Sequence, residues 1–300
     1  MSAYPYLSSE QQQALPELIQ VSALPVMYDD STNRLWHCET VDGPMILKVC
    51  DSQNVGSSTF WQGMDTLFQV DLPSQIDKFD RVYSEMSTAS SLAIPGFISS
   101  SSATENGQTS AFILAKLLSG DMVESQHVDD AMVSDLAEYI STLHQNKRQT
   151  WGALYYDGID KEQWPQRLRE TLTFLAGKQQ ALISNELLSD ALSEAETITV
   201  DTFVPIMPDL RWDQFLQQDG TLSALVDLDA IVYGPRELEL VLLEFLLNEQ
   251  QARTFIDKYQ QTHSLPNLAK VRKSYRLLLF MMNVLGEKNV DAWMQAPTRF

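Results

Sequence analysis

The chain has 300 residues, 44% apolar and 20% charged, which is ordinary for a folded protein and enough to bury a substantial core in one large or two medium domains. A formal net charge of −19, with no Lys/Arg cluster to offset it locally, repels a phosphate backbone, so no nucleic-acid partner is expected. The longest apolar runs, Leu238 to Leu247 and Leu277 to Leu285, are too short to span a bilayer and are broken by Glu239, Glu244 and Asn283, so no membrane partner is expected.

The opening residues lack the basic and apolar regions of a signal peptide, and the cysteines are two, Cys38 and Cys50. Together these predict a cytoplasmic chain with free thiols. Ser8 or Ser9 caps a short helix through Leu15. Residues 34–40 and 44–50 flank Val41-Asp42-Gly43 as a β-hairpin, and symmetric pairing about Asp42-Gly43 sets position 38 against 47, which does not favour a disulfide. Lys48 falls inside the apolar second strand. An unpaired ammonium is costly to bury, so something anionic should meet it. No glycine occurs between Val26 and Val41, and Asp29 and Asp30 put negative charge in the preceding loop.

Residues 51–77 read as an insertion with a helix from Ser57 to Phe68. Phe79, Val82, Met86 and Ala89 then recur at helical spacing over Lys78 to Leu92, a helix that carries Asp80 and Glu85. Ile94 to Ile98 reads as a strand, Ser99 to Gly107 as a flexible polar turn, and Ala111 to Leu118 as the next strand. Beyond Asp121 the periodicity is helical. Asp129 or Asp130 caps a helix ending at His144, which reads as a packed, hydrogen-bonded histidine. Trp164, Leu168, Leu172 and Leu175 form a core stripe, and Leu182 to Leu192 a further helix. Trp151, Tyr155, Tyr156 and Trp164 can stack on a sugar or pack, with packing the expected fate.

The densest stretch is Phe203 to Glu239. An apolar run ends in Met207-Pro208-Asp209, Gln214 follows five residues later, and Gln218-Asp219-Gly220 makes a turn. Asp227 and Asp229 then close a strand, and Tyr233-Gly234-Pro235-Arg236-Glu237 opens a helix. Carboxylates and an amide on a loop and strand end are groups suited to a divalent cation and a phosphate.

This layout resembles the catalytic segment of the aminoglycoside phosphotransferase and fructosamine kinase superfamily, with its H-G-D-L-x-x-x-N, hairpin and I-D pattern. The resemblance implies an α+β, bilobal protein-kinase-like fold: a small antiparallel-sheet lobe over 1–118 that includes the insertion, and a larger helical lobe over 119–300 with the catalytic hairpin at 203–235. It implies ATP and Mg²⁺ as cofactors and a small-molecule hydroxyl as acceptor, sugar-like or, given the acidity, cationic. Asp209 matches the general base, Asp227 and Gln214 the metal ligands, and Asp229 is placed as a second acidic ligand. Ile46-Leu47-Lys48-Val49 is similar to the strand bearing the phosphate-contacting lysine, with Glu85 the helix glutamate that would orient it. Ser31-Thr32-Asn33 resembles the phosphate-side turn, and backbone groups near Ala115 and Leu117 would receive the adenine. Glu239 falls where the superfamily has an aspartate that fixes the catalytic loop.

Met207 stands in place of histidine, Pro208 in place of glycine, and Gln214 is one methylene longer than asparagine. Two readings follow: an active small-molecule kinase, or a catalytically impaired relative that binds a nucleotide, ligand or protein partner.

Overall fold

The computed structural model describes residues 3–26 and 31–300. Asp29 and Asp30 lie outside the described residues. The chain runs through α1 (Ser9–Gln13), β1 (Leu18–Ala23), β2 (Asn33–Thr40), β3 (Gly43–Asp51), α2 (Ser52–Ser57), α3 (Thr59–Phe68), α4 (Phe79–Ala89), β4 (Phe97–Glu105) and β5 (Gln108–Lys116). These strands form one antiparallel sheet in the order β1-β2-β3-β5-β4. Alternation along β3 explains its two faces. Met45, Leu47 and Val49 bury themselves with Trp36, Phe112, Leu114 and the N-terminal Tyr4 and Leu7 on one side. Lys48 and Cys50 point to the other.

Ser8 begins α1 with a full capping box, its hydroxyl accepting from the Gln11 N–H while the Gln11 side chain accepts from Ser8. The β2–β3 register differs from the expected one. Thr40 lies opposite Gly43 and Cys38 opposite Met45, so the turn is Val41-Asp42 and Gly43 takes a φ of 102°. Both cysteines are free and buried. The Ser99 to Glu105 stretch is strand rather than flexible turn. It extends β4 to the tight turn at Asn106-Gly107, and its hydroxyls find partners, Ser100 donating to the Ile76 carbonyl and Thr104 bonding Thr109. A serine run is compatible with an edge strand whose side chains stay half-exposed.

The rest comprises β6 (Asp121–Met122), α5 (Asp130–Leu143), β7 (Thr150–Ala153), β8 (Ile159–Asp160), α6 (Trp164–Lys178), α7 (Asn185–Thr197), β9 (Val204–Ile206), β10 (Phe215–Gln218), β11 (Thr221–Leu225), β12 (Val232–Gly234), α8 (Arg236–Leu246), α9 (Glu249–Tyr259), α10 (Arg272–Met281) and α11 (Val290–Met294). Strands β9 and β12 pair, as do β10 and β11, so the loops that follow β9 and β11 are delivered side by side. Asp219 and Gly220, at φ 52° and 81°, make the tight turn between β10 and β11 that the Gln-Asp-Gly sequence predicts. Among the described residues no helix is long and apolar enough to cross a membrane.

The 51–77 segment packs into the helical half. Phe68 meets Trp151 edge-on at 6.2 Å and Trp164 at 6.0 Å, and a β-carbon on Gly63 would lie 2.7 Å from Met282 Cγ. Trp151 and Trp164 are fully buried against each other and Phe203, so they are core and not a sugar platform. Trp61 Nε1 donates to Thr32 Oγ1 at 2.9 Å, tying α3 to the turn that opens β2.

Candidate active site

Lys48 meets its anion twice. Nζ lies 2.7 Å from Asp227 Oδ1 and 2.6 Å from Asp229 Oδ2, with 15% of the lysine side chain exposed, 33% of Asp227 and 6% of Asp229. Asn33 Nδ2 donates to the same Asp229 oxygen at 3.2 Å. Burial by itself lowers the Lys48 pKa, but Asp227 and then Asp229 outweigh it and raise it. Burial likewise works against Asp227, yet Lys48 prevails and lowers its pKa, whereas burial and Asp227 together leave Asp229 raised.

Asp209 sits on the loop after β9. Its Oδ2 accepts from Gln214 Nε2 at 3.2 Å, while Oδ1 is buried with no hydrogen-bond partner among the described residues. Burial first, and the Asp227 charge second, push this carboxyl up to about 7. Arg211, two residues on and paired with Asp213 at 3.1 Å, pulls in the opposite direction.

The loop is braced from beneath. The Met207 N–H donates to Glu239 Oε1 at 2.7 Å, Glu239 Oε2 pairs with His144 Nε2 at 2.9 Å, and His144 Nδ1 meets the Tyr259 hydroxyl at 2.8 Å. With Nε2–H donating to Glu239, Nδ1 accepts the Tyr259 proton. Glu239 thus holds the backbone at Met207, whose thioether fills a buried site and accepts from the Tyr139 hydroxyl at 3.7 Å.

Two expectations are corrected. Glu85 does not orient Lys48. Its carboxylate takes Arg148 at 2.9 and 3.2 Å and the Tyr233 hydroxyl at 2.5 Å, and the Arg148 guanidinium lies 3.8 Å over the Tyr233 ring. Residues two apart on a helix point about 200° apart, and it is Tyr83 whose hydroxyl is within electrostatic reach of the lysine and its aspartates. Burial and then Asp229 raise its pKa. Gln214 does not present its carbonyl oxygen to a metal: Oε1 accepts the Arg211 N–H at 2.9 Å while Nε2 faces the Asp209 carboxylate and carbonyl. The extra methylene lets the amide fold back onto its own loop. At the edge of the cleft, the Leu117 N–H already donates to the Pro44 carbonyl at 3.1 Å, and Ala115 is paired with Ile46 and Phe97. The Leu117 N–H is therefore spent on the sheet. Tyr83, the contact of Asn33 with Asp229 and the Arg148 anchor are not evident from the sequence: helix phase along α4 is the signal that points to Tyr83, and none points to Arg148, which sits between α5 and β7 and bridges Phe203.

No protein-family model matches the chain, and no curated protein does. Solved structures do. A protein assigned as a fructosamine-3-kinase from Haemophilus somnus is 14% identical over 96% of this chain and 92% of its own, with a TM-score of 0.60. An ADP-bound aminoglycoside phosphotransferase is 15% identical over 97% and 98%, TM-score 0.59. A macrolide 2'-phosphotransferase from Brachybacterium faecium is 12% identical over 93% of each chain, TM-score 0.55. The chain has the kinase-like fold of these phosphotransferases. Within that fold, the site just described lies where an antiparallel sheet and a helical half face each other across Lys48 and Asp227.

Proposed function

We propose that the protein is a nucleotide-dependent phosphotransferase that moves a phosphoryl group from ATP to a hydroxyl of a small molecule. The observation that carries this reading is the gathering of Lys48, Asp209, Asp227 and Asp229 in one cleft of a kinase-like fold. Solved neighbours include complexes with ADP, with GDP and kanamycin, and with ADP and hygromycin B, which supports a nucleotide and a small polar acceptor here. A net charge of −19 favours a cationic acceptor.

In this reading Asp209 Oδ1, the oxygen with no partner in the chain, accepts the proton of the acceptor hydroxyl. The hydroxyl oxygen bonds to the terminal phosphorus of ATP, the bond from that phosphorus to the bridging oxygen breaks, and ADP leaves with the electron pair. Gln214 holds the Asp209 carboxylate by its other oxygen, and the Glu239–His144 pair fixes the loop that carries it. Lys48 and Asn33 supply donors on the phosphate side. Magnesium asks for one or two carboxylates plus phosphate and water oxygens. Asp227 and Asp229 meet that requirement and would hold it, although no three acidic, histidine or cysteine side chains among the described residues form a cage alone. Bound there, it would neutralise charge on the phosphates.

Replacing Asp209 with alanine tests the reading. Turnover should fall on the order of 10²–10⁴-fold while nucleotide affinity, read by thermal shift, stays near the parent's. Equal turnover in mutant and parent removes Asp209 from the chemistry. A second reading, a binder without chemistry, is favoured by the inward-turned Gln214 carbonyl and by a Lys48 already taken by two carboxylates. Stabilisation by ATP with magnesium and no phosphoryl transfer to any acceptor or to water would establish it.

A further inference from the structure

The two N-terminal groups best placed to grip a phosphate, Lys48 on β3 and Asn33 at the start of β2, both hold the same oxygen of Asp229. A carboxylate oxygen accepting an ammonium at 2.6 Å and an amide N–H at 3.2 Å offers those donors what a phosphate oxygen offers, and with 6% of its side chain exposed Asp229 is seated there rather than grazing the cleft. The lysine needs only one of its two carboxylates to stay paired, since Asp227 already lies at 2.7 Å and also accepts the Asp229 N–H at 3.3 Å. Charge points the same way. Three carboxylates, Asp209, Asp227 and Asp229, outnumber the cations acting on them, Lys48 and Arg211, so a polyanion entering the cleft is opposed unless a carboxylate withdraws or a cation accompanies it.

Resting on the nucleotide reading above, we propose that Asp229 is an internal competitor for the phosphate subsite. It occupies Lys48 and Asn33 in the resting chain, and a phosphate takes these donors only when Asp229 lets go. This makes the cleft self-closing and sets a threshold for nucleotide entry. Before it lets go, Asp229 works against phosphate binding, and only once released from Lys48 and Asn33 is it free to serve the magnesium ion placed above.

The test uses the intact chain, calorimetry and two probes: tripolyphosphate without divalent cations, and ATP with and without magnesium. Asp229→Asn, nearly isosteric, should bind tripolyphosphate roughly tenfold more tightly than the parent. Asn33→Ala in that background should give back several-fold of the gain, and Lys48→Met should abolish it. Asp229→Ser, checked for a parent-like circular dichroism spectrum, should move in the same direction if the asparagine variant folds poorly. Unchanged or weaker anion binding in both Asp229 variants overturns the proposal, as does a gain that survives Lys48→Met, which would reflect net charge alone. A loss of magnesium-ATP affinity without any gain for tripolyphosphate overturns it in favour of a metal ligand. If the variants gain tripolyphosphate and neither they nor the parent bind ATP, the competitor stands and the nucleotide reading falls.

Discussion

Two buried polar systems of this protein are built on opposite plans. Beneath the Asp209 loop, Glu239 and His144 are both fully buried, and each acceptor and donor is matched: Met207 N–H and His144 on the two oxygens of Glu239, the Tyr259 hydroxyl on the other histidine nitrogen. In the cleft above, two carboxylates share the Lys48 ammonium, and one oxygen of a third, Asp209, is buried with no partner among the described residues. A buried polar group left unmatched costs free energy, so the first system is a place of rest and the second a place held ready. The loop between them joins the two: Met207 is fastened from below so that Asp209 can be kept unbalanced above.

The largest effect should come from breaking the matched system. Glu239→Ala leaves a buried histidine N–H and the Met207 N–H without an acceptor, and each buried donor left unmatched costs about 1–3 kcal/mol. Denaturant titration should show that loss, and turnover should fall with it because the Asp209 loop is freed. Parent-like stability would mean that water or a shifted side chain satisfies both groups, and that the brace is incidental.

The unmatched system should respond with the opposite sign. Asp209 has a folded pKa of about 7 against an ordinary value of 3.8, raised by burial and then by Asp227. For an acid whose pKa is raised by folding, the stability it contributes is present below its unfolded pKa and is lost as pH rises through the folded one. The parent should therefore lose stability between about pH 4 and pH 7 through this group. Asp209→Asn should be more stable than the parent at pH 8, by about 1–3 kcal/mol, and the advantage should shrink towards pH 5. In the proposed role of base this group works only when ionised, so the parent's rate of phosphoryl transfer should fall as pH drops through about 7. A pH-independent stability difference would show that Asp209 is ionised with no penalty.

These regions also differ in how much the chain disclosed. The matched brace was half legible, because Glu239 in the first turn of α8 lies a fixed distance after Gly234, and His144 ends an apolar helix. Lys48, Asp209 and Asp227 were legible as types because an ammonium in an apolar strand and carboxylates at loop and strand ends are unusual on their own. Their partners were not. Gln214 has the spacing of a metal-ligating amide, but one added methylene changes which way the amide faces, and spacing carries no information about that. The depth of the 51–77 segment was hidden for another reason: its polar residues conceal Trp61, Met64, Leu67 and Phe68, which face helices more than eighty residues later in the sequence.

A smaller change sharpens the Gln214 point. Gln214→Asn withdraws the amide by one methylene, so it cannot accept from the Arg211 N–H and donate to Asp209 at once as it does here. Loss of one such hydrogen bond costs about 1 kcal/mol. If the shorter arm is free to serve a magnesium ion, the magnesium dependence of nucleotide binding should steepen while stability drops by that amount. A stability loss with unchanged magnesium dependence would leave Gln214 as a brace for Asp209 alone.

The smallest expected effect lies at Glu85, which does not pair with Lys48 but joins α4 to the helical half through Arg148 and Tyr233. Its side chain is 26% exposed and that of Arg148 35%, so solvent screens the pair and Glu85→Gln should cost no more than about 1 kcal/mol. The amide can still accept from the tyrosine, which separates charge from hydrogen bonding. The double variant with Arg148→Met measures the coupling directly. Because Lys48 is held by Asp227 and Asp229 and not by Glu85, tripolyphosphate affinity should be the same in Glu85→Gln as in the parent. A loss of anion binding there would mean that α4 steers the lysine through Tyr83, and that the latch on its far face sets the phosphate subsite after all.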